Sequence, residues 1–252
     1  MPLPKEYISY SQINTYLNCG KQYYYRYIAQ EKSTTSFKLT TGKETHNLLS
    51  KIYTDIINKA PKKFKEYVPE FRESFKSQYP NASNEEITIV GGFLAEIENQ
   101  IRTYDPLYSE YELNTDYKGI RIKGFIDLVT TDNRVVDFKF TDRPSKFQNP
   151  QKSLQLGLYG YFYDTKYVEY ACYTSQISKA GKALHSFHNY QGELEKKNII
   201  QALNILEDAV EGIDKGVFTR TDPDSWVCSK KYCDYYEICY GEERKEPLQI
   251  CV

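Results

Sequence analysis

The sequence predicts an α/β domain that carries helical and metal-bound extensions. Three observations lead there. Apolar residues recur at helical spacing through the first hundred positions. The period then changes to alternation near residue 120. Finally, cysteines crowd the segment from Trp226 to Cys239.

The elements follow in order. Ser9 to Ile28 reads as a helix that Ser9 or Ser11 can cap, with Ile13, Tyr16 and Leu17 on helical spacing. A Ser/Thr-rich loop covers Ser33 to Thr41. A second helix runs from Thr41 to Asn58, with His46, Leu49, Ile52, Tyr53, Ile56 and Ile57 on one side. Lys62 to Pro80 is polar and aromatic, and is expected to be a surface helix. Glu85 to Tyr104 is a third long helix, with Ile89, Phe93, Ile97 and Ile101 spaced by four. Ile120 to Val129 alternates and then runs apolar, as a strand entering a core does. Asp132-Asn133 makes a turn, and Arg134 to Phe140 returns as a second strand. Gln151 to Asp164 reads as helix, Tyr167–Gln176 and Ala183–Tyr190 as a further strand pair, and Glu193 to Lys215 as a helix. Trp226 to Cys239 is too short to fold without help. No internal repeat or low-complexity block is visible.

Composition narrows the function classes. At 252 residues, 40% hydrophobic and 27% charged, the chain is globular rather than disordered, and is expected to be one domain over residues 1–252. A net charge of −1 excludes a uniformly basic nucleic-acid coat but leaves room for a local basic groove. No run of 18 apolar residues exists, so no membrane span is expected, and Met1 to Glu6 lacks a secretion signal's apolar stretch. A cytoplasmic location follows as an expectation. Disulfides are rare there, so six cysteines need another explanation. The 25 tyrosines serve either as stacking faces for bases or as core-edge phenols.

The chemistry concentrates in the first strand pair. Asp127 ends one strand, and Asp137-Phe138-Lys139 lies on the next. Nine residues separate the two aspartates, which suits a hairpin that sets them side by side. Asp137 and Lys139 face the same side of their strand. Two close carboxylates repel each other unless a cation lies between them, and hard oxygen ligands favour Mg²⁺ or Mn²⁺. A nearby ammonium can orient water or stabilise charge on a phosphate, so the set suits phosphodiester hydrolysis. Taken alone, the pattern also fits an ordinary salt-bridged hairpin.

Six motifs in order make the chain resemble the PD-(D/E)-x-K nuclease superfamily, in particular its RecB-like exonuclease branch. The stretch from Ser9 to Cys19, followed by Tyr23 and Tyr27, looks like the opening S-x-S-x-(I/L)-x-x-(Y/F)-x-x-C motif. Gly42-Lys43-Glu44-Thr45-His46 matches G-x-x-x-H. Gly124-Phe125-Ile126-Asp127, Asp137-Phe138-Lys139 and Gln155-Leu156-Gly157-Leu158-Tyr159 (Q-x-x-x-Y) follow, and the cysteine tail closes the series. The resemblance implies a restriction-endonuclease-like core, a mixed central sheet flanked by helices, with a helical N-terminal extension and a cysteine-rich tail. It implies that Asp127, Asp137 and the Phe138 backbone carbonyl bind the catalytic Mg²⁺ or Mn²⁺, and that His46 adds an imidazole. It also implies that Lys139 positions the attacking water, and that Gln155 and Tyr159 hold DNA or brace Lys139. The family's upstream acid corresponds to either Glu110 or Glu112. His185 and His188, in a strand without a nearby acidic partner, read as structural or exposed.

Among the cysteines, Cys172 lies in an apolar strand and Cys251 next to the last residue. That leaves Cys19, Cys228, Cys233 and Cys239, the ligand count of structural Zn²⁺ and of a [4Fe–4S] cluster alike. The resemblance favours the cluster, because AddB-type and CRISPR-associated adaptation nucleases carry one cysteine in the opening helix and three near the end. Their usual first C-terminal gap is two residues; here it is four. Such a centre would join residues 1–28 to 226–240 as a staple, making thiolate binding part of the folding free energy.

Lys139, Arg143, Lys146 and Lys152 gather after the active strand. Lys21 and Arg26 sit beside Tyr23, Tyr24, Tyr25 and Tyr27, where phosphate contact and base stacking are both available. The expected function is a metal-dependent DNA exonuclease acting from single-stranded ends in recombination, repair or DNA processing. The alternatives are a non-catalytic iron–sulfur DNA-binding subunit and a restriction-like endonuclease. No P-loop is present, so the chain is expected to be either a stand-alone nuclease or the nuclease partner of another chain, a helicase or recombination protein.

Overall fold

The computed structural model describes residues 6–34 and 36–241. The chain divides into two compact units, one of residues 35–205 and one formed by residues 1–34 with 206–252.

The first unit is built on a five-stranded mixed sheet. Three helices precede the sheet: α3 (Phe37–Ile57), α4 (Phe64–Gln78) and α5 (Asn84–Gln100), numbered after α1 (Tyr10–Asn18) and α2 (Gly20–Tyr23) of the other unit. The strands are β1 (Pro106–Tyr117), β2 (Ile120–Thr130), β3 (Val135–Phe140), β4 (Tyr167–Ile177) and β5 (Ala183–Glu193), and α6 (Leu154–Tyr163) crosses between β3 and β4. The strand order is β1-β2-β3-β4-β5. Only β3 and β4 are parallel, which is why a helical crossover links them. One core holds this layer together. Leu49, Ile52 and Tyr53 of α3, Phe71 and Phe75 of α4, and Phe93 and Ile97 of α5 pack on Leu128, Val136, Phe138, Ala171 and Tyr173 of the sheet. Tyr53 stacks flat on Phe138, with centroids 5.8 Å apart.

Caps set the helix starts. Ser36 accepts the Leu39 N–H at the start of α3, and Ser83 with Glu86 forms a capping box for α5. The expected Ser33–Thr41 loop is therefore shorter than its composition implies, because Ser36 caps rather than extends it. The twelve-residue β1 falls where no strand was expected. Its polar residues give it few buried positions, and it is held by ladder bonds to β2.

The second unit contains α1 (Tyr10–Asn18), α2 (Gly20–Tyr23), a π-helical turn (Tyr24–Ile28) and a short α8 (Tyr236–Gly241). Ser9 caps α1, as its side chain accepts the Gln12 N–H. The continuous helix expected over Ser9–Ile28 is broken at Cys19, whose backbone is extended (φ −165°, ψ 112°). The cause is a close backbone approach. The Lys21 N–H donates to the Thr219 carbonyl at 3.1 Å, and a Cβ on Gly20 would lie 2.7 Å from Thr219 N. Of the clustered tyrosines, Tyr23 and Tyr25 are core rather than exposed stacking faces, with Tyr23 packed against Tyr16, Tyr27 and Phe218. Helix α7 (Lys196–Asp214) runs through the point where the two units divide. Among the described residues no helix is long and apolar enough to cross a membrane.

These packing differences make two glycines behave in opposite ways. Gly20→Ala forces a methyl against backbone and is expected to lower stability by roughly 1–3 kcal/mol. Gly91→Ala, mid-helix in α5 with open space around its Cβ, is expected to raise it by about 0.5–1 kcal/mol. Thermal or urea unfolding of both variants checks this, and a neutral Gly20→Ala would count against the close approach.

Candidate active site

The site begins where two strands part. β2 and β3 pair only at Leu128↔Val136 and Val129↔Val135. In the same register the next positions are Asp127 and Asp137. There the ladder stops, and the Asp127 side chain takes over: its Oδ2 accepts the Phe138 N–H at 2.7 Å. A carboxylate is thereby fixed to the neighbouring strand's backbone.

Asp137 is almost wholly buried, and the Lys139 ammonium lies 2.6 Å from its Oδ2. That approach is off the angle of a hydrogen bond, and Oδ2 has no hydrogen-bond partner among the described residues. Lys139 Nζ instead donates to Gln155 Oε1 at 3.1 Å and sits over the rings of Tyr170 (5.4 Å) and Phe147 (5.9 Å). Gln155 and Tyr159 lie one turn apart on α6, whose start Ser153 caps. Gly124 allows the Tyr159 ring close to β2, since a Cβ there would meet it at 3.2 Å.

His46 reaches the site from α3, its Nδ1 3.3 Å from Asp127 Oδ2 and its ring 5.4 Å from that of Phe140. Gly42, one turn earlier, has open space where a Cβ would point, so packing does not require a glycine there. Of the two upstream acids, Glu110 joins the site. It stands between the register pairs Ser109↔Leu128 and Tyr111↔Ile126, opposite Asp127, in a left-handed backbone conformation (φ 51°). Glu112 is exposed and lies 4.0 Å from Lys123.

The electrostatics are those of crowded acids. Burial is the main cause that raises the pKa of Asp137; Lys139 opposes it and Asp127 adds to it. Burial also pushes Glu110 up to about 7, with Asp127 adding and His46 opposing. Burial alone would lower His46, but Asp127 outweighs it, so the imidazole holds its proton above the ordinary pH. Lys139 is likewise held charged against burial, chiefly by Asp137.

The donor set, carboxylates with one imidazole and a buried carboxylate oxygen that meets Lys139 as an ion pair rather than a hydrogen bond, has the chemistry of a hard divalent-cation site. Among the described residues, no three His, Cys, Asp or Glu side chains form a ready ligand group. Asp127 is engaged with His46 and Phe138, and Asp137 with Lys139.

In the other unit, Cys19, Cys228, Cys233 and Cys239 line one cavity of about 380 Å³. Burial raises the Cys233 thiol pKa; the Tyr235 backbone opposes this, and the other three cysteines add to it. Cys239 Sγ accepts a bond from Arg220 Nε at 3.4 Å. Cys172 is fully buried in β4, its thiol pushed up to about 12 by burial; Cys251 lies outside the described residues. One expectation is corrected. His185 does have an acidic partner: its Nδ1 lies 2.7 Å from Oε2 of buried Glu96 on α5, a residue 89 positions away in sequence. His188 Nε2 lies 3.0 Å from Ser186 Oγ, two residues away in sequence.

Comparison with known proteins bears on the family and the fold. Residues 7–240 match the PD-(D/E)XK nuclease superfamily. A crystal structure of a "Putative exonuclease" from Eubacterium rectale superposes with a TM-score of 0.60 at 11% identity, covering 98% of this chain and 92% of that one. At that identity the likeness is one of fold. The structure of SSO0001 gives a TM-score of 0.41 at 15% identity, over 79% of this chain and 96% of that one. None of the curated proteins compared with the chain matches it.

The raised carboxylate pKa values carry a sign. Between its ordinary 4.5 and about 7, Glu110 keeps a proton in the folded chain that the unfolded chain has lost. Metal-free protein should therefore lose stability as pH rises through that window. Glu110→Gln should flatten the slope and raise Tm at pH 8 in EDTA. Identical pH–Tm curves for the two proteins would contradict the burial of Glu110.

Proposed function

Because the chain belongs to the PD-(D/E)XK nuclease superfamily, with its mixed five-stranded sheet flanked by helices, we propose that it is a Mg²⁺- or Mn²⁺-dependent deoxyribonuclease that works from DNA ends, with a preference for single-stranded ends. The observation that carries this reading is the placement of Asp127, Asp137 and Lys139 at the parting of β2 and β3, with Gln155 bracing the lysine.

Asp127, Asp137, His46 and the Phe138 carbonyl are the groups that would hold the cation, and Glu110 stands beside them. The bound cation supplies Lewis acidity to the phosphate and lowers the pKa of water. Lys139 presents a fixed positive charge where the phosphate oxygens gain negative charge, and orients the attacking water. Its rotamer is held by Gln155 and by the rings beneath it. Gln155 and Tyr159 act as positioning groups, and Gly42 leaves the helix surface beside His46 bare for a substrate backbone.

The cysteine cavity supports a second assignment, a [4Fe–4S] cluster on Cys19, Cys228, Cys233 and Cys239, with structural Zn²⁺ as its alternative. Four soft donors face one space, and they come from chain segments more than 200 residues apart. The cluster would act as a staple joining residues 1–28 to 226–240, distinct from the catalytic cation. DNA is the substrate in this reading, and a helicase or recombination protein is a fitting partner.

Two experiments test these assignments. End-labelled linear DNA should be degraded with Mn²⁺ and spared in EDTA, while covalently closed circles survive. Asp137→Ala or Lys139→Ala should cut the rate by about 10²-fold or more with the fold intact. Cleavage of circles would favour an endonuclease, and binding without cleavage a silent DNA-binding subunit. For the cysteines, protein purified without oxygen should be brown and contain iron, which Cys233→Ser loses along with stability. Zinc in place of iron selects the alternative, and folded protein with neither metal removes the staple.

A further inference from the structure

Along β2, Arg121, Lys123, Phe125 and Asp127 alternate and so share one face of the strand. Ile122 and Ile126, on the opposite face, are buried. Phe125 is 54% exposed. A solitary exposed phenyl is ordinary on a protein surface. The position of this one is not ordinary. It lies two residues from Asp127, about 7 Å along the strand, and on the same face. Its ring has no aromatic partner among the described residues. Tyr117, Tyr161 and Phe162, by contrast, pack on one another. From Ile120 to Asp127 the strand pairs with β1 along one edge, and its other edge has no ladder partner among the described residues. Further out, Arg121 uses Nε to bond Asn114 Oδ1 at 3.2 Å, and Lys123 lies 4.0 Å from Glu112.

From this placement we infer that Phe125 is a base-stacking group of the site, taking an unpaired nucleobase next to the phosphate that Lys139 and a cation at Asp127 would hold, with Arg121 and Lys123 along the strand's phosphates. The inference rests on the nuclease reading and adds its substrate contact. A flat phenyl face accepts any base and makes no hydrogen bond, so it selects for a free face rather than for sequence. A base inside a duplex is already stacked on both sides. The ring therefore favours single-stranded ends for a reason that lies in this residue.

The test is binding of a fluorescein-labelled oligo-dT by anisotropy in EDTA, where no cleavage occurs. Phe125→Ala should weaken binding by roughly tenfold, the loss expected for one stacked base. Phe125→Leu should behave like the alanine variant, being apolar but not flat, and Phe125→Trp should restore wild-type affinity. An oligonucleotide of abasic residues should bind wild type and Phe125→Ala alike. Equal oligo-dT affinity for wild type and Phe125→Ala, both folded by circular dichroism, overturns the inference, as does failure of the tryptophan variant to rescue. Cleavage with Mn²⁺, run in parallel, separates the two claims. Phe125-dependent binding without cleavage supports the stacking and sinks the nuclease reading; cleavage with Phe125-independent binding does the reverse.

Discussion

The Phe138 N–H donates to Asp127 Oδ2 across the point where β2 and β3 cease to pair, and much of the site follows from that bond. A ladder that continued would give the Phe138 N–H a main-chain acceptor on β2 in place of the Asp127 carboxylate. A gap without the bond would leave the Phe138 amide unsatisfied, at a cost of about 1–3 kcal/mol. With the carboxylate bridging, β3 can part from β2 after Val136 while its other edge stays paired with β4 from Val135 to Phe140. Asp137 then faces the opening, while Phe138, the next residue, anchors the other side of the strand in the core beneath α3 and α5. The same short segment fixes chemistry on one side and packing on the other.

Like charges make this arrangement costly in isolation, and the neighbouring elements offset the cost. α3 supplies His46, β3 supplies Lys139, and α6 supplies Gln155 to hold that lysine. Glu110 adds a third acid from β1, and burial raises its pKa to about 7. The balance is incomplete, since a buried oxygen of Asp137 lacks a hydrogen bond. Buried polar groups are nearly always paired, so an exception invites a functional explanation. A cation between the carboxylates provides one, and the Lys139 charge explains how the pair is tolerated.

Much of this was legible in the sequence, and the physical reasons are uneven. Alternation from Ile120 to Val129 and the Asp132-Asn133 turn gave the hairpin, because a half-buried strand must alternate and a tight turn needs a residue such as Asn133 at positive φ (62°). The aspartates, Lys139, His46, Gln155 and Tyr159 do converge. β1 escaped because its burial is too slight to leave a pattern, although Tyr111, Leu113, Thr115 and Tyr117 alternate weakly. The choice between Glu110 and Glu112 turned on one left-handed backbone angle, which residue type does not announce. The break at Cys19 depends on a segment two hundred residues away, and so does not show in local spacing. The His185–Glu96 pair is likewise a long-range contact, made by a helix packed against the sheet.

The central claim is that Asp127 and Asp137 share a divalent cation. Mn²⁺ binding measured by electron paramagnetic resonance on metal-free protein addresses it without DNA, cleavage or the cysteine centre. The account predicts saturable Mn²⁺ binding that is lost or weakened at least about tenfold in Asp127→Asn, because removing an anionic oxygen ligand from a hard-cation site removes much of its attraction. Equal Mn²⁺ affinity in wild type and Asp127→Asn, or no binding by the wild type, would contradict it.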